Sequence, residues 1–535
     1  MRRSRKLAVV AALLVPVLAG GFILQSQASS AGTGAGALLL DQVLSLVTDR
    51  YVDTLPAGDV YEKAARGLVT ELQDPYSQFF SPSELTNFSR NTNGQYGGVG
   101  MQIESQNGIV TVSKVFPNTP AEAAGVVEGD QILFVDTVSA RGWTLAQTAD
   151  SLTGTPGTKV KVKFGRPGVS QLIAVEFTRA VIHVPAVPYA LMLSGKIGYI
   201  PLLQFSESAA ADVADATASL KKQGAKGIIL DERGNPGGLV DQSLALDNLF
   251  LKNGQEIVSV RTRTGPPQID HAQGPPTFGT VPLIVLTDGG TASAAEIVAG
   301  ALQDHDRALI VGQTSYGKGL VQSVYPLDGG YALKLTTGKW YTPSGRSIQR
   351  ERKFVNGQFV LAPVDSAESD QSKKTRPAFK SDDGRTVYGG GGITPDVIVA
   401  EDTLTGPEQQ LAKALAPKSQ DVYLALYSFG LNLSHKLKRG FQYQPAWREQ
   451  FIKTLDAKGV KVDQSLYDHA PRYLDRLIED RVSRFVEGDS TAERREIPYD
   501  APLQRAMQLM DKASTQQDLF ALAGGTHPAG TPKKP

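Results

Sequence analysis

The sequence predicts an α/β protein: an open sheet with helices on its faces, preceded by a small β-rich module and extended by helices at both ends. Three observations carry this. Between Ala180 and Leu302 apolar, β-branched runs alternate with helical stretches, as in GKIGYIPLLQF, DVADATASLKKQ and GAKGIILDERGNPGGL, the pattern of strand–helix units with function at strand ends. From Gly94 to about Arg179, short alternating strands are punctuated by turns and two short helices. On either side, from Ala37 to about Arg90 and from about Leu404 onward, apolar residues recur at helical spacing, as at Leu474, Ile478, Val482 and Phe485.

At the N-terminus, Arg2, Arg3, Arg5 and Lys6 precede an apolar stretch from Leu7 to Leu24, and Ser26 and Ala28 fit the −3 and −1 positions of a cleavage site. The stretch, at 1.5 Å per residue, comes close to spanning a hydrocarbon core about 30 Å thick. Residues 1–28 therefore read as a signal peptide or an uncleaved single-pass anchor, and either one exports the remainder to a periplasmic or other extracytoplasmic compartment. The chain has no cysteine, which excludes disulfides, thiolate metal sites, a cysteine nucleophile and a lipoprotein anchor.

Residues 37–93 read as a helical segment in which Asp59 caps the second helix and DPYSQFFSP breaks the pattern. Residues 94–180 form the β-rich module, with QYGGVGMQI, GIVTVSKVF, QILFVDTV and KVKVKFGR as strands and PAEAAGV and TLAQTADSL as helices. Alone, Gly97, Gly98, Val99, Gly100 and Met101 read equally well as a glycine-containing hairpin. The order of strands and helices around them resembles a PDZ domain, in which such a loop presents N–H groups to a peptide's terminal carboxylate and the next strand's edge takes the peptide.

Residues 181–402 form the core, organised around VPLIVLTDGGTASAAEIVAGAL from Val281 to Leu302. An apolar strand ends at Asp288, Gly289 and Gly290, and a small-residue helix starts near Ala292. Ser293, at the turn into that helix, is either an N-cap or a nucleophile whose oxyanion the N–H of Ala294 holds. After the next strand, GQTSYGKGLVQ sets Lys318 between two glycines and Gln322 four residues on. A lysine acting as general base for a serine must be neutral, so its pKa must fall from about 10.4 towards 7, which burial among apolar groups supplies. Gly312, Gly317 and Lys318 nearly spell a phosphate loop, but Gly319 replaces its hydroxyl residue and LVQSVYPL alternates like a strand, so a nucleotide site is set aside. His305 invites a Ser/His/Asp triad with its flanking aspartates. It lies twelve residues along the helix from Ser293, about 18 Å, and reads as a solvated residue at the helix C-terminus. The other histidines show no metal-ligand spacing, and no cofactor is expected.

TDGGTASAAEIVAGALQDHDRALIVGQTSYGKGLVQ resembles the active-site region of the C-terminal processing peptidases, tail-specific serine proteases of bacteria and chloroplasts. DERGNPGGLVDQ, YTPSGRSIQ and GGITPDVIV extend the resemblance over most of the chain from about Leu39 to Ala400. It implies an α/β protease core of the crotonase/ClpP type with an inserted PDZ domain. It also implies that Ser293 is the nucleophile, Lys318 the general base and Gln322 the residue that positions the lysine, with an N–H of Gly237 or Gly238 facing Ala294 at the oxyanion. Arg233 and Asn235 read as loop hydrogen-bonders. Beyond the core motifs, Glu351 to Gly390 reads as a polar insertion or long loop, residues 403–520 as a helical extension with Ser490 and Glu493 as a capping box, and residues 521–535 as a disordered tail.

A net charge of +1 with 20% charged residues leaves no surplus for nucleic acid. The expectation is an exported serine endopeptidase that cuts near the C-termini of protein substrates held by its PDZ domain. It touches the membrane only through its N-terminal segment and self-associates, if at all, through its helical ends. The alternatives are a catalytically silent PDZ scaffold, which has no need of Ser293, Lys318 and Gln322 together, and a crotonase-like acyl transferase, which has no need of a PDZ domain.

Overall fold

A computed structural model describes residues 35–106, 108–166, 169–355, 358–361, 375–400 and 404–524. Residues 1–28, read above as a targeting segment, and residues 525–535 lie outside these. The described residues form two compact units, one from residues up to Pro82 with Gln322–Thr336 and residues 358–359, the other from Ser83–Val321, Thr337–Val355 and the described residues beyond.

In the first unit, helices at residues 35–50 and Ala57–Glu71 precede a strand, Gln78–Phe80, that pairs antiparallel with Ala332–Lys334. The break at DPYSQFFSP is thus a strand inside a segment predicted to be helical. Its register is fixed by Phe79 stacking on Tyr331 at 5.4 Å and by Asp74, which accepts the Ser77 hydroxyl at 2.7 Å and the Thr336 hydroxyl. Asp59 is not a cap: the helix starts at Ala57 behind Pro56, and Asp59 falls in its first turn, where a carboxylate suits the helix dipole.

In the second unit, α1 (Pro82–Asn93) leads into the β-rich module. QYGGVGMQI makes two strands, β1 (Gln95–Gly98) and β2 (Met101–Gln106), interrupted at Val99 and Gly100. Then come β3 (Ile109–Val115), α2 (Pro120–Ala123), β4 (Gln131–Val135), α3 (Leu145–Leu152), β5 (Lys159–Gly165) and β6 (Ile173–Thr178). β2 to β6 form one antiparallel sheet in chain order around a core that includes Val110, Val112, Ile132, Val162 and Phe164. β7 (Ala180–His183) returns to pair with β1.

The central sheet runs β8 (Leu191–Leu193), β9 (Ile197–Pro201), β10 (Gly227–Asp231), β11 (Leu283–Thr287), β12 (Leu309–Gly312) and β13 (Val397–Ile398) in chain order, parallel after the β8–β9 hairpin. Strands laid down in sequence with crossovers of one hand put their helices on one face. That face, carrying Ile228, Leu230, Leu283, Val285 and Ile310, is covered by α4 (Ala209–Lys222), α5 (Val240–Asp247) and α6 (Ala294–Asp304). The alternate residues Ile229, Ile284, Leu286, Leu309 and Val311 point the other way. Their cover comes from the end of the chain.

The C-terminal extension is therefore two structures. α7 (Gly406–Leu415), α8 (Ser419–Ser434), α9 (Ala446–Ala457) and α10 (Pro471–Glu487) share a core of their own that includes Leu411, Phe451, Leu474 and Ile478. α11 (Ala501–Lys512) and α12 (Gln516–Leu522) lay Leu503, Leu509, Met510, Leu519 and Phe520 on the second face of the sheet. The helices also meet the β-rich module, where Lys114 pairs with Asp489 at 2.6 Å and Arg481 with Glu128 at 3.2 Å.

Four expectations are corrected. The stretch from Glu351 to Gly390 contains two small hairpins, Arg352–Val355 with Gln358–Leu361 and Ala378–Lys380 with Thr386–Tyr388. Ser490 caps nothing, because its helix begins at Asp489 behind Gly488 and Glu493 accepts Arg484 instead. Ala521 and Leu522 close α12 rather than opening a disordered tail. The His305 side chain is buried, its Nδ1 2.7 Å from an Asp382 oxygen and its Nε2 2.7 Å from the Glu256 carbonyl, because the helix end is covered from two sides.

Candidate active site

Three loops leave the C-terminal ends of the neighbouring parallel strands β10, β11 and β12, and they carry Arg233 to Gly238, Ser293 and Lys318 respectively. Sheet order alone thus gathers residues that are far apart in the chain.

Ser293 opens α6 with φ +56° and ψ −113°, a backbone conformation that residues with a side chain seldom adopt and that needs support from its surroundings. The support is visible. The Asp288 carboxylate accepts the N–H groups of Gly234 (2.8 Å), Gly290 (2.9 Å) and Thr291 (3.0 Å), and the Asn235 carbonyl accepts the Ala292 N–H at 2.9 Å. Ser293 and Glu296 stand in capping-box register: Glu296 takes the Ser293 N–H at 2.9 Å, whereas the return contact to the Ser293 hydroxyl falls short of a hydrogen bond of normal geometry. Reading this serine as a plain N-cap leaves its hydroxyl unexplained.

Glu296 was not singled out from the sequence, and it holds the site together. It is fully buried, and besides the Ser293 N–H it accepts the Lys318 N–H (2.8 Å) on the same oxygen. Its other oxygen accepts the Gly317 N–H (2.6 Å) and the Ser315 hydroxyl. Burial pushes its carboxyl upward, against the pull of these donors. One carboxylate oxygen that receives both the Ser293 and the Lys318 backbone puts the two residues side by side. Lys318 is fixed further by the Trp340 indole, which donates to its carbonyl at 3.0 Å, and the side chain is half-buried.

Gly237 and Gly238 lie against the serine turn. A methyl group on Gly237 (φ +92°) would stand 2.8 Å from the Ala294 nitrogen and 2.6 Å from the Ala292 oxygen, and one on Gly238 (φ +150°) 2.3 Å from the Phe205 oxygen. Only glycine lets these chains approach so closely. The Gly237 N–H, however, donates to the Asn235 side chain at 2.9 Å. It is therefore engaged inside its own loop, which leaves Gly238 as the open one of the two glycines expected at the oxyanion. The N–H groups of Gly238 and Ala294 have no partner among the described residues. Asn235 is buried and also donates to the Leu202 carbonyl at 2.9 Å, in keeping with its reading as a loop hydrogen-bonder. Arg233 is held between Asp231 (2.6 Å) and Asp500 (2.6 Å), the latter at the start of α11. Gln322 belongs to the first unit, where its amide donates to the Thr336 hydroxyl at 3.4 Å.

In the β-rich module, Gly97 and Gly98 lie in β1. The Val99 and Gly100 carbonyls accept N–H groups of Ala121 (2.8 Å) and Phe116 (3.0 Å). Their own N–H groups have no partner among the described residues. A cavity of about 500 Å³ opens beside this loop, lined on its apolar side by Val99, Met101, Ile103, Phe116, Ala149 and Leu152.

Residues 196–354 match the family model described as Peptidase family S41, and residues 87–164 match the PDZ domain model. The carboxy-terminal processing protease CtpA of Bacillus subtilis is 34% identical over 66% of this chain and 76% of its own length. A carboxy-terminal-processing protease of Bartonella bacilliformis is 38% identical over 57% of this chain and 71% of its own. Among solved structures, a photosystem II D1 C-terminal processing protease is 30% identical, over 59% of this chain and 84% of that one, with a TM-score of 0.36. A parallel sheet with three loops converging on a strained serine, a peptide-binding module ahead of it and relatives of this kind lead to one conclusion: the chain belongs to the carboxy-terminal processing proteases of peptidase family S41, PDZ-containing serine endopeptidases.

Proposed function

We propose that the chain is an exported endopeptidase that cuts protein substrates near C-termini held by its PDZ domain, with Ser293 as nucleophile and Lys318 as general base. The observation that carries this reading is Glu296, whose single oxygen binds the backbone of both residues. Neutral Lys318 takes the Ser293 proton as the hydroxyl attacks the peptide carbonyl, and returns it to the leaving amine. The N–H groups of Ala294 and Gly238 face the developing oxyanion, and Gly237 keeps the space beside them open. Export rests on the basic and apolar N-terminal sequence from Arg2 to Leu24. A second copy of the chain is the occupant proposed for the first unit's exposed apolar side chains, among them Leu38, Leu39, Leu40 and Leu46. Light scattering on the purified protein is expected to give a dimer or larger, and a monomer at micromolar concentration would rule this part out.

The test is cleavage of an unfolded protein with an apolar C-terminal tail by the full chain, by Ser293→Ala and by Lys318→Ala, each first shown to be folded. Only the unmodified chain is expected to cut, and amidating the substrate's C-terminus is expected to slow it. Cleavage by both variants at the parent rate would overturn the mechanism. Tail binding without any cleavage by the parent would favour the scaffold alternative.

A further inference from the structure

Two stretches singled out in the sequence, GQTSYGKGLVQ and YTPSGRSIQ, meet at Lys318, and the second takes no part in the proposed mechanism. Residues 313–319 belong to no helix or strand, yet every backbone N–H and C=O from Gly317 to Gly319 has a partner. Glu296 accounts only for the N–H groups of Gly317 and Lys318. The others fall to Trp340, Gln349 and Arg350. The Gln349 side chain accepts the Gly319 N–H at 3.0 Å, and the Arg350 N–H donates to the Gly317 carbonyl at 3.0 Å. Trp340 donates twice, from its indole to the Lys318 carbonyl at 3.0 Å and from its backbone to the Gly319 carbonyl at 3.1 Å.

The two peptide groups that flank the Lys318 Cα are thus each held at both ends. Glu296 and the Arg350 backbone hold the one before it, and the side chains of Gln349 and Trp340 hold the one after it. Peptide groups are rigid planes, so fixing both fixes φ and ψ of Lys318 and with them the direction in which its side chain leaves the chain. The flanking glycines allow this grip. A methyl group on Gly319 would stand 2.9 Å from the Gln349 nitrogen, and one on Gly317 (φ +86°) 3.0 Å from the Arg350 Cβ and 3.1 Å from the Gly392 nitrogen. Gln349 is itself anchored, its amide donating to the Arg350 carbonyl at 2.9 Å. Trp340 is 1% exposed and meets no substrate. The charged groups packed on the loop are Glu296 from α6 and Arg350, whose guanidinium donates to the Ser315 carbonyl at 2.9 Å and lies over the Tyr316 ring.

We propose that Gln349 and Trp340 are positioning residues for the general base: they hold the peptide group after Lys318, which Glu296 does not reach, and so aim the lysine at Ser293. This deepens the reading of Lys318 as the base and rests on it.

The experiment measures kcat and KM of the full chain, Gln349→Met and Trp340→Phe on a fluorogenic peptide with an apolar C-terminus, from about pH 6 to about pH 10, after thermal unfolding has shown each to be folded. Each substitution takes one partner from that peptide group and keeps an unbranched chain or an aromatic ring in place. In each variant kcat is expected to fall about tenfold while KM stays within about twofold, since a buried polar group is left unpaired and no contact with substrate is lost. The acid limb of kcat is expected to move up by about half a pH unit or more, because a lysine no longer held in place regains water and titrates closer to its ordinary value of about 10.4. A role in packing alone lowers kcat by the same factor at every pH. That result, or a kcat and pH profile like the parent's, overturns the proposal. Gln349 is only half-buried, so Gln349→Met decides the matter if Trp340→Phe does not fold. Lys318→Ala is run alongside. If it cuts as the parent does, the reading of Lys318 as the base fails and the role of Gln349 and Trp340 falls with it. An inactive Lys318→Ala beside a parent-like Gln349→Met overturns the positioning role and leaves the base standing.

Discussion

Glu296 fixes the backbone at Ser293 and at Lys318 with one side chain, and both of its oxygens face donors. An amide in its place must turn its NH₂ towards two of them whichever way it is rotated. Glu296→Gln is therefore expected to lower kcat/KM about a hundredfold in a protein that still folds, since each unmade buried hydrogen bond costs about 1–3 kcal/mol. Steady-state kinetics check this, and a change below threefold would mean that the carboxylate does not organise the site. Glu232 and Asp247 are the opposite case: both are fully buried, their carboxyl oxygens have no hydrogen-bond partner among the described residues, and burial raises both well above the usual carboxylate range, with the charge of Asp231 adding to it at Glu232 and that of Glu232 at Asp247. A pKa that is higher in the folded than in the unfolded chain makes stability fall as pH rises from the ordinary carboxylate range through the raised one. Asp247→Asn is thus expected to leave the thermal midpoint near pH 4 unchanged and to raise it by a few degrees near pH 8. At this scale the sequence was legible where chemistry and turn residues coincide, as at Ser293 after two glycines and Lys318 between two. Glu296 was not: three positions after a serine, a glutamate reads as half of a capping box, and only the fold shows that it also receives the lysine loop.

The sheet's faces explain the C-terminal extension at the level of elements. All the crossover helices lie on one face, so α11 and α12 are needed to bury the other. Leu509→Ala, at a residue 2% exposed against that face, is expected to cost about 2–5 kcal/mol in urea unfolding. A loss under 1 kcal/mol would mean that the helix is peripheral. The extension also reaches the active-site loop, because Asp500 accepts two N–H groups of Arg233, at 2.9 and 2.6 Å, while Arg233 braces Asp231. Asp500→Asn is expected to lower kcat about tenfold with little change in KM, since the loop carrying Gly237 and Gly238 would lose an external brace and no contact with substrate. The strands were legible because runs such as GIIL and LIVL are apolar at every position, the mark of a sheet covered on both sides. Which element covers the second face was not, because a helix that is apolar on one side carries no record of its partner. The strand Gln78–Phe80 escaped for a related reason: three residues are too short for periodicity, and the strand that pairs with it begins at Ala332.

For the whole molecule, the order of parts follows from a division of labour that the sequence displayed: a PDZ module, a sheet whose loops converge on a serine, and helices that close the sheet and contact the module through Lys114–Asp489 and Glu128–Arg481. The family was readable from motifs because the chemistry needs particular residues at particular turns, whereas self-association and the placement of Gln322 depend on surfaces that a single chain's pattern does not encode. The central claim is that Ser293 is a nucleophile made reactive by Lys318. Its most direct test is to treat the full chain and Lys318→Ala with a peptidyl phosphonate ending in an apolar residue, and then to locate the adduct by peptide mass mapping. The account expects a single phosphonylated residue, Ser293, in the parent and at least a hundredfold slower labelling in Lys318→Ala. An adduct on another residue, or equal labelling in both proteins, would contradict it.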